Sequence, residues 1–76
     1  MAQSKAERIR VRVNGEMEEL NQSFTVLELL SQFQIKSDSV VLELNRQILE
    51  KGRYSSTYLR DGDSLEIVHF VGGGTR

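Results

Sequence analysis

Hydrophobic and polar positions alternate strictly in RIRVRVN, residues 8–14, with Ile9, Val11 and Val13 on one side and Arg8, Arg10 and Arg12 on the other. A period of two predicts a half-buried strand. Asn14-Gly15 follows, a dipeptide that accepts φ > 0 at both central positions of a tight hairpin turn. The return strand is EMEEL, with Met17 expected to face inward and Leu20 closing the run. The period then changes. In SFTVLELLSQF the apolar residues Val26, Leu29, Leu30 and Phe33 recur at i, i+3, i+4 and i+7, the single stripe of an amphipathic helix. Thr25 and Glu28 have the spacing of a capping box, and Phe24 stands where it can staple onto Leu29. The helix is expected to fade before Ile35, and KSDS makes a polar connection.

VVLELN, residues 40–45, predicts a third strand with Val40, Leu42 and Leu44 inward. Asn45-Arg46 begins a turn, and Ile48-Leu49 forms a short strand. Residues 50–60 read as irregular, anchored by Tyr54, Tyr58 and Leu59, and Asp61-Gly62-Asp63 is another turn signal. The last strand is SLEIVHFV, residues 64–71. A hairpin, a helical crossover and three later strands pack economically as one helix on one mixed sheet, since the crossover is right-handed in nearly all cases. The predicted class is α+β, a β-grasp (ubiquitin-like) domain: a mixed four- to five-stranded sheet packed on one helix. Its final strand would lie centrally and parallel to the first. The expected organisation is a disordered lead-in at 1–7, the β-grasp domain at 8–71 and a flexible C-terminal tail at 72–76.

Composition narrows the function. At 76 residues with no cysteine, neither disulfides nor thiolate metal sites hold the chain together. A formal charge of −1, with both signs mixed along the sequence, argues against a nucleic-acid groove or a membrane-binding surface. The arginines of the first strand are accordingly read as a solvated face beside acidic neighbours rather than a phosphate site. No apolar run approaches the length of a membrane span, and Met1 to Glu7 is too polar for a secretory signal, so a cytoplasmic protein is expected. His69 is the sole histidine, and no metal-binding or phosphate-loop motif is present. It is expected to be a satisfied rim residue. The chain is therefore read as something other than an enzyme, with no catalytic residue, bound cofactor or metal of its own.

The chemistry is at the end. Gly72, Gly73 and Gly74 follow the last strand directly, and they gain nothing by packing. A run without side chains suits a backbone that threads a narrow slot in another protein. From Val71, an extended segment to Gly74 reaches roughly 13 Å. A carboxylate there is inert until activated, and attack on the α-phosphate of ATP would give an acyl-adenylate open to sulfur or nitrogen nucleophiles. That step needs a partner, because the chain has no phosphate loop.

DGDSLE followed by IVHFVGGG, residues 61–74, resembles the end of the thiamine-biosynthesis sulfur-carrier proteins, the ThiS family. VNG, TVLELL and VVLELN occur in the same order as in that family, so the resemblance covers residues 8–74. It implies a cycle. A ubiquitin-activating-type adenylyltransferase uses MgATP to adenylate the C-terminal glycine, a sulfurtransferase route converts it to a thiocarboxylate, and thiazole synthase takes the sulfur. Carried onto this sequence, Gly74 is the site of adenylation and thiocarboxylate formation, with Gly72 and Gly73 as the flexible approach. Thr75-Arg76 departs from the pattern, because an amide-blocked Gly74 has no carboxylate. Three accounts fit: a processing peptidase removes the pair, the pair is foreign to the native chain, or a carboxylate other than that of Gly74 is used. Trimming in the cell is favoured.

On the last strand Val68 and Phe70 are expected on the outer side, near the glycines, with Val41 on the neighbouring strand extending the patch; exposed apolar clusters mark interaction sites. The competing expectation is that residues 50–60 cover them. The alternatives to a thiamine carrier are a carrier for cysteine, methionine or molybdopterin synthesis, a ubiquitin-like protein modifier, and a β-grasp interaction module whose glycines are incidental.

Overall fold

A computed structural model describes residues 8–21 and 24–70. Five strands and one helix follow in the order β1 (Ile9–Val13), β2 (Glu16–Leu20), α1 (Val26–Gln32), β3 (Val40–Leu44), β4 (Gln47–Leu49) and β5 (Ser64–His69), with 3-10 turns at Ser37–Ser39 and Lys51–Arg53. The sheet order is β2-β1-β5-β3-β4. Neighbours pair antiparallel except β1 and β5, which run parallel, so the sheet is mixed and β5 occupies its centre. This is the expected β-grasp arrangement.

Each hairpin turn is two residues long. Asn14 and Gly15 lie at φ 51° and 87°, and Asn45 and Arg46 at 53° and 72°, the left-handed pair that matches strand twist. A two-residue turn sets the register. Val13 stands opposite Glu16, so Val11 meets Glu18 and Ile9 meets Leu20. Parity then puts Met17 on the outer side opposite Arg12, where it is 54% exposed. The expectation that Met17 faces inward is corrected here. Met17 and Leu20 are three residues apart, and a strand cannot turn both to one face.

The helix begins and ends by hydrogen bonding rather than by length. Thr25 Oγ1 accepts from the Glu28 N–H at 3.1 Å and Glu28 Oε1 accepts from the Thr25 N–H at 2.8 Å, completing the capping box. The next two free donors, Val26 N–H and Leu27 N–H, bond the carbonyls of Thr57 and Tyr54. The irregular segment between β4 and β5 thus closes the helix N-terminus, and its Tyr54 and Leu59 enter the core. Phe24 packs half-buried on the same core, and its carbonyl accepts from Leu59 N–H. At the other end Gln34 takes φ 61°, Ile35 N–H reaches Leu30 O and Gln34 N–H reaches Ser31 O, a Schellman stop with glutamine in the position glycine usually holds. Leu29, Leu30 and Val26 are buried between helix and sheet against Val11, Leu42 and Leu65.

Candidate functional site

β5 leads to the glycines, so its anchoring decides where the tail starts. On one side it pairs with β3 over five residues, from Leu44 opposite Leu65 to Val40 opposite His69. On the other side β1 runs out early, with Arg12 opposite Ser64 and Val13 opposite Leu65. Asn14 takes over from there. Its Oδ1 accepts from the Ile67 N–H at 2.7 Å, and its Nδ2 donates to the Ile67 carbonyl at 3.2 Å, so a side-chain amide replaces the missing strand residue. The second turn asparagine repeats the device at the other end of β5. Asn45 Oδ1 accepts from the Ser64 N–H at 2.9 Å, while the Asn45 N–H donates to the Ser64 carbonyl at 2.7 Å. Neither clamp was expected from sequence, though the signal was present: asparagine tolerates φ > 0 and carries an amide able to bond backbone. The last described bond is Phe70 N–H to Ser39 O at 3.1 Å.

Among the described residues no helix covers the outer face of the sheet. Val41 and Val68 are direct cross-strand partners, 43% and 58% exposed, and Phe70 is 50% exposed beyond them. The three residues expected to form an apolar patch beside the tail are thus brought together and open. Residues 50–60 bond the helix N-terminus instead, through Tyr54 and Thr57. Glu43 and Glu66 form the next cross-strand pair, between this patch and the basic side chains of β1.

His69 stands opposite Val40 and is exposed. It lines an open cleft of about 310 Å³ with Phe33, Ile35, Ile67, Glu16 and Glu18. Among the described residues no three of His, Cys, Asp and Glu converge as a metal site. Gly72, Gly73 and Gly74, with Thr75 and Arg76, lie outside the described residues, as do the expected lead-in at 1–7 and Val71. No described helix is long and apolar enough to cross a membrane.

Comparison with known proteins adds to this geometry. The model of the ThiS family matches residues 9–74, ending on the third glycine and leaving Thr75 and Arg76 beyond the match. The sulfur carrier protein ThiS of Bacillus subtilis is 46% identical over 50 residues, covering 66% of this chain and 76% of that protein. The thiazole synthase of Paramagnetospirillum magneticum is 39% identical over 67 residues, 88% of this chain but 21% of that protein. The chain therefore spans about a fifth of that relative's length. Among solved structures, the crystal structure of the thiamine biosynthesis protein (ThiS) from Geobacter metallireducens superposes with a TM-score of 0.76 at 35% identity, covering 87% of this chain and all of that one.

Proposed function

The chain belongs to the ThiS family, and from that premise we propose that it is a sulfur carrier of thiamine biosynthesis, charged at Gly74 after Thr75 and Arg76 are removed. The observation that carries this reading is the extent of the family match, which runs through the whole sheet and stops at Gly74. The domain contributes position and the tail contributes chemistry. β5, bonded on both sides, holds the start of the glycines on a rigid support, and Val41, Val68 and Phe70 give a partner an apolar surface beside it.

The freed Gly74 carboxylate attacks the α-phosphate of ATP on a ubiquitin-activating-type adenylyltransferase, releasing pyrophosphate and leaving a mixed anhydride with AMP. A persulfide on a partner displaces AMP to give an acyl disulfide, and a second thiol breaks its S–S bond, leaving the thiocarboxylate on Gly74 and a disulfide on the partner. MgATP belongs to the partner, and the carrier is a cosubstrate. The acceptor we assign is thiazole synthase. The relative from Paramagnetospirillum magneticum supports it, because a protein of that name contains a segment similar to nearly all of this chain. A peptidase that frees Gly74 completes the set of partners, and the reactions are placed in the cytoplasm, where MgATP is supplied.

The test compares the chain ending at Gly74 with the chain ending at Arg76. Each is incubated with the adenylyltransferase of thiamine synthesis, MgATP and labelled pyrophosphate. Exchange into ATP is expected for the Gly74 form alone, and with a sulfur source its mass rises by the difference between sulfur and oxygen. Equal exchange by both forms would overturn the assignment of Gly74.

A further inference from the structure

We propose that Arg8, Arg10 and Arg12 are a second docking element, which meets an acidic surface of the adenylating protein that receives the tail; this deepens the carrier reading and rests on it. All three side chains lie on the outer face with Val68 and Phe70 and are exposed. With Met17, Glu19, Asp61 and Gly62 they line an open concavity of about 550 Å³. Four carboxylates share this face, and Glu43 and Glu66 lie between the arginines and Val68, so the positive charge is concentrated at the far end of the face. Glu19 reaches Arg8 at 3.4 Å, and Asp61 Oδ1 accepts from the backbone N–H of Arg10 at 2.8 Å. Among the described residues the guanidinium groups of Arg10 and Arg12 have no ion-pair partner. The chain's formal charge is −1, so the unpaired Arg10 and Arg12 are a local positive spot rather than part of a basic surface.

The occupant follows from the chemistry of the strip. A guanidinium fork pairs two-pronged with a carboxylate, whereas an extended strand offers no nest of backbone N–H groups to cradle a phosphate. The spacing suits one partner. Arg12 is in register with Ser64, and Val68 lies four residues further along β5, roughly 13 Å away at strand rise. A standard interface of about 800 Å² per partner is roughly 30 Å across and spans both points. One apolar anchor beside the tail fixes position but leaves rotation free. A charged contact at the opposite end of the same face removes that freedom and aims the tail at the slot.

The experiment uses the chain ending at Gly74 and the adenylyltransferase, with binding read by fluorescence anisotropy and charging by pyrophosphate exchange. R10E/R12E is compared with R10K/R12K and the parent across a salt series, after circular dichroism shows that each is folded. The reversal is expected to weaken binding and raise KM about tenfold with kcat nearly unchanged, and to flatten the salt dependence. The lysine pair should keep the parent's salt dependence and bind at a strength between the parent and the reversal, because the charge is kept and the two-pronged geometry is lost. Unchanged affinity and salt dependence in the reversal would overturn the proposal, as would a shift of the β1 amides by submillimolar inorganic phosphate. A parent that binds but is not charged would sink the Gly74 chemistry and leave the arginine comparison standing. A parent that does not bind would sink both.

Discussion

Asn14 does two jobs at one position: it adopts φ 51° in the first turn and gives β5 two hydrogen bonds where β1 has ended. Replacing it with alanine loses both bonds and keeps the unfavourable φ. N14A is expected to cost about 2 kcal/mol in denaturant unfolding and to speed amide exchange at Ile67, the unmade bonds supplying most of the loss. N14G relieves the backbone but not the bonds, so it should fall between N14A and the parent. Tyr54 is the other residue with a measurable signature. It is buried at 3% exposure, and desolvation raises its phenol above the ordinary value of about 10, while the Lys51 charge works in the opposite direction. A raised folded pKa means the native state holds the proton longer than the unfolded chain. The contribution is therefore full below about pH 10 and is lost as pH rises through the folded value. Thermal unfolding midpoints from pH 8 to 12 should fall more steeply for the parent than for Y54F.

The helix shows what was legible at the scale of an element and what was not. Its start is written in Thr25, Glu28 and the apolar stripe, because a capping box is a local motif that needs no tertiary partner. Its end is not. Gln34 occupies the left-handed stop position, and no glycine marks the place; the stop depends on Ile35 returning to the Leu30 carbonyl and packing on the core. Q34G is expected to stabilise the domain by about 1 kcal/mol in urea unfolding, since it relieves a left-handed residue and leaves the Schellman bonds in place. β2 gives the opposite lesson. Composition favours Met17 as the buried residue of EMEEL, yet counting back from a two-residue Asn-Gly turn puts Glu16, Glu18 and Leu20 inward. Turn arithmetic outranks hydrophobicity at this edge strand, where the inner positions Glu16 and Glu18 stay exposed and half-buried. In the segment 50–60 the anchors Tyr54 and Leu59 were legible, whereas Tyr58 is exposed, and the bonds of the Tyr54 and Thr57 carbonyls to donors on a helix some thirty residues earlier leave no local trace.

For the whole molecule, element order alone was enough to place β5 in the middle of a mixed sheet, because a hairpin and a right-handed crossover leave few other arrangements. The apolar patch beside the tail was legible through strand parity. The asparagine clamps were not, since Asn14 acts where β1 stops two residues short of Ile67 and Asn45 acts on Ser64 where β3 has ended. The tail lies outside the described residues, and a chain ending at Val71 is expected to unfold at the same temperature as the full chain while losing all sulfur transfer in a coupled assay with adenylyltransferase and thiazole synthase. Centrality has a mechanical consequence as well. A partner that tugs on the C-terminus loads β5 along its own axis, against β3 on one flank and β1 with Asn14 on the other. Those bonds lie across the pull, and the load is shared between two flanks where an edge strand would have one. A pull on the end is thereby spread over the middle of the sheet rather than its rim.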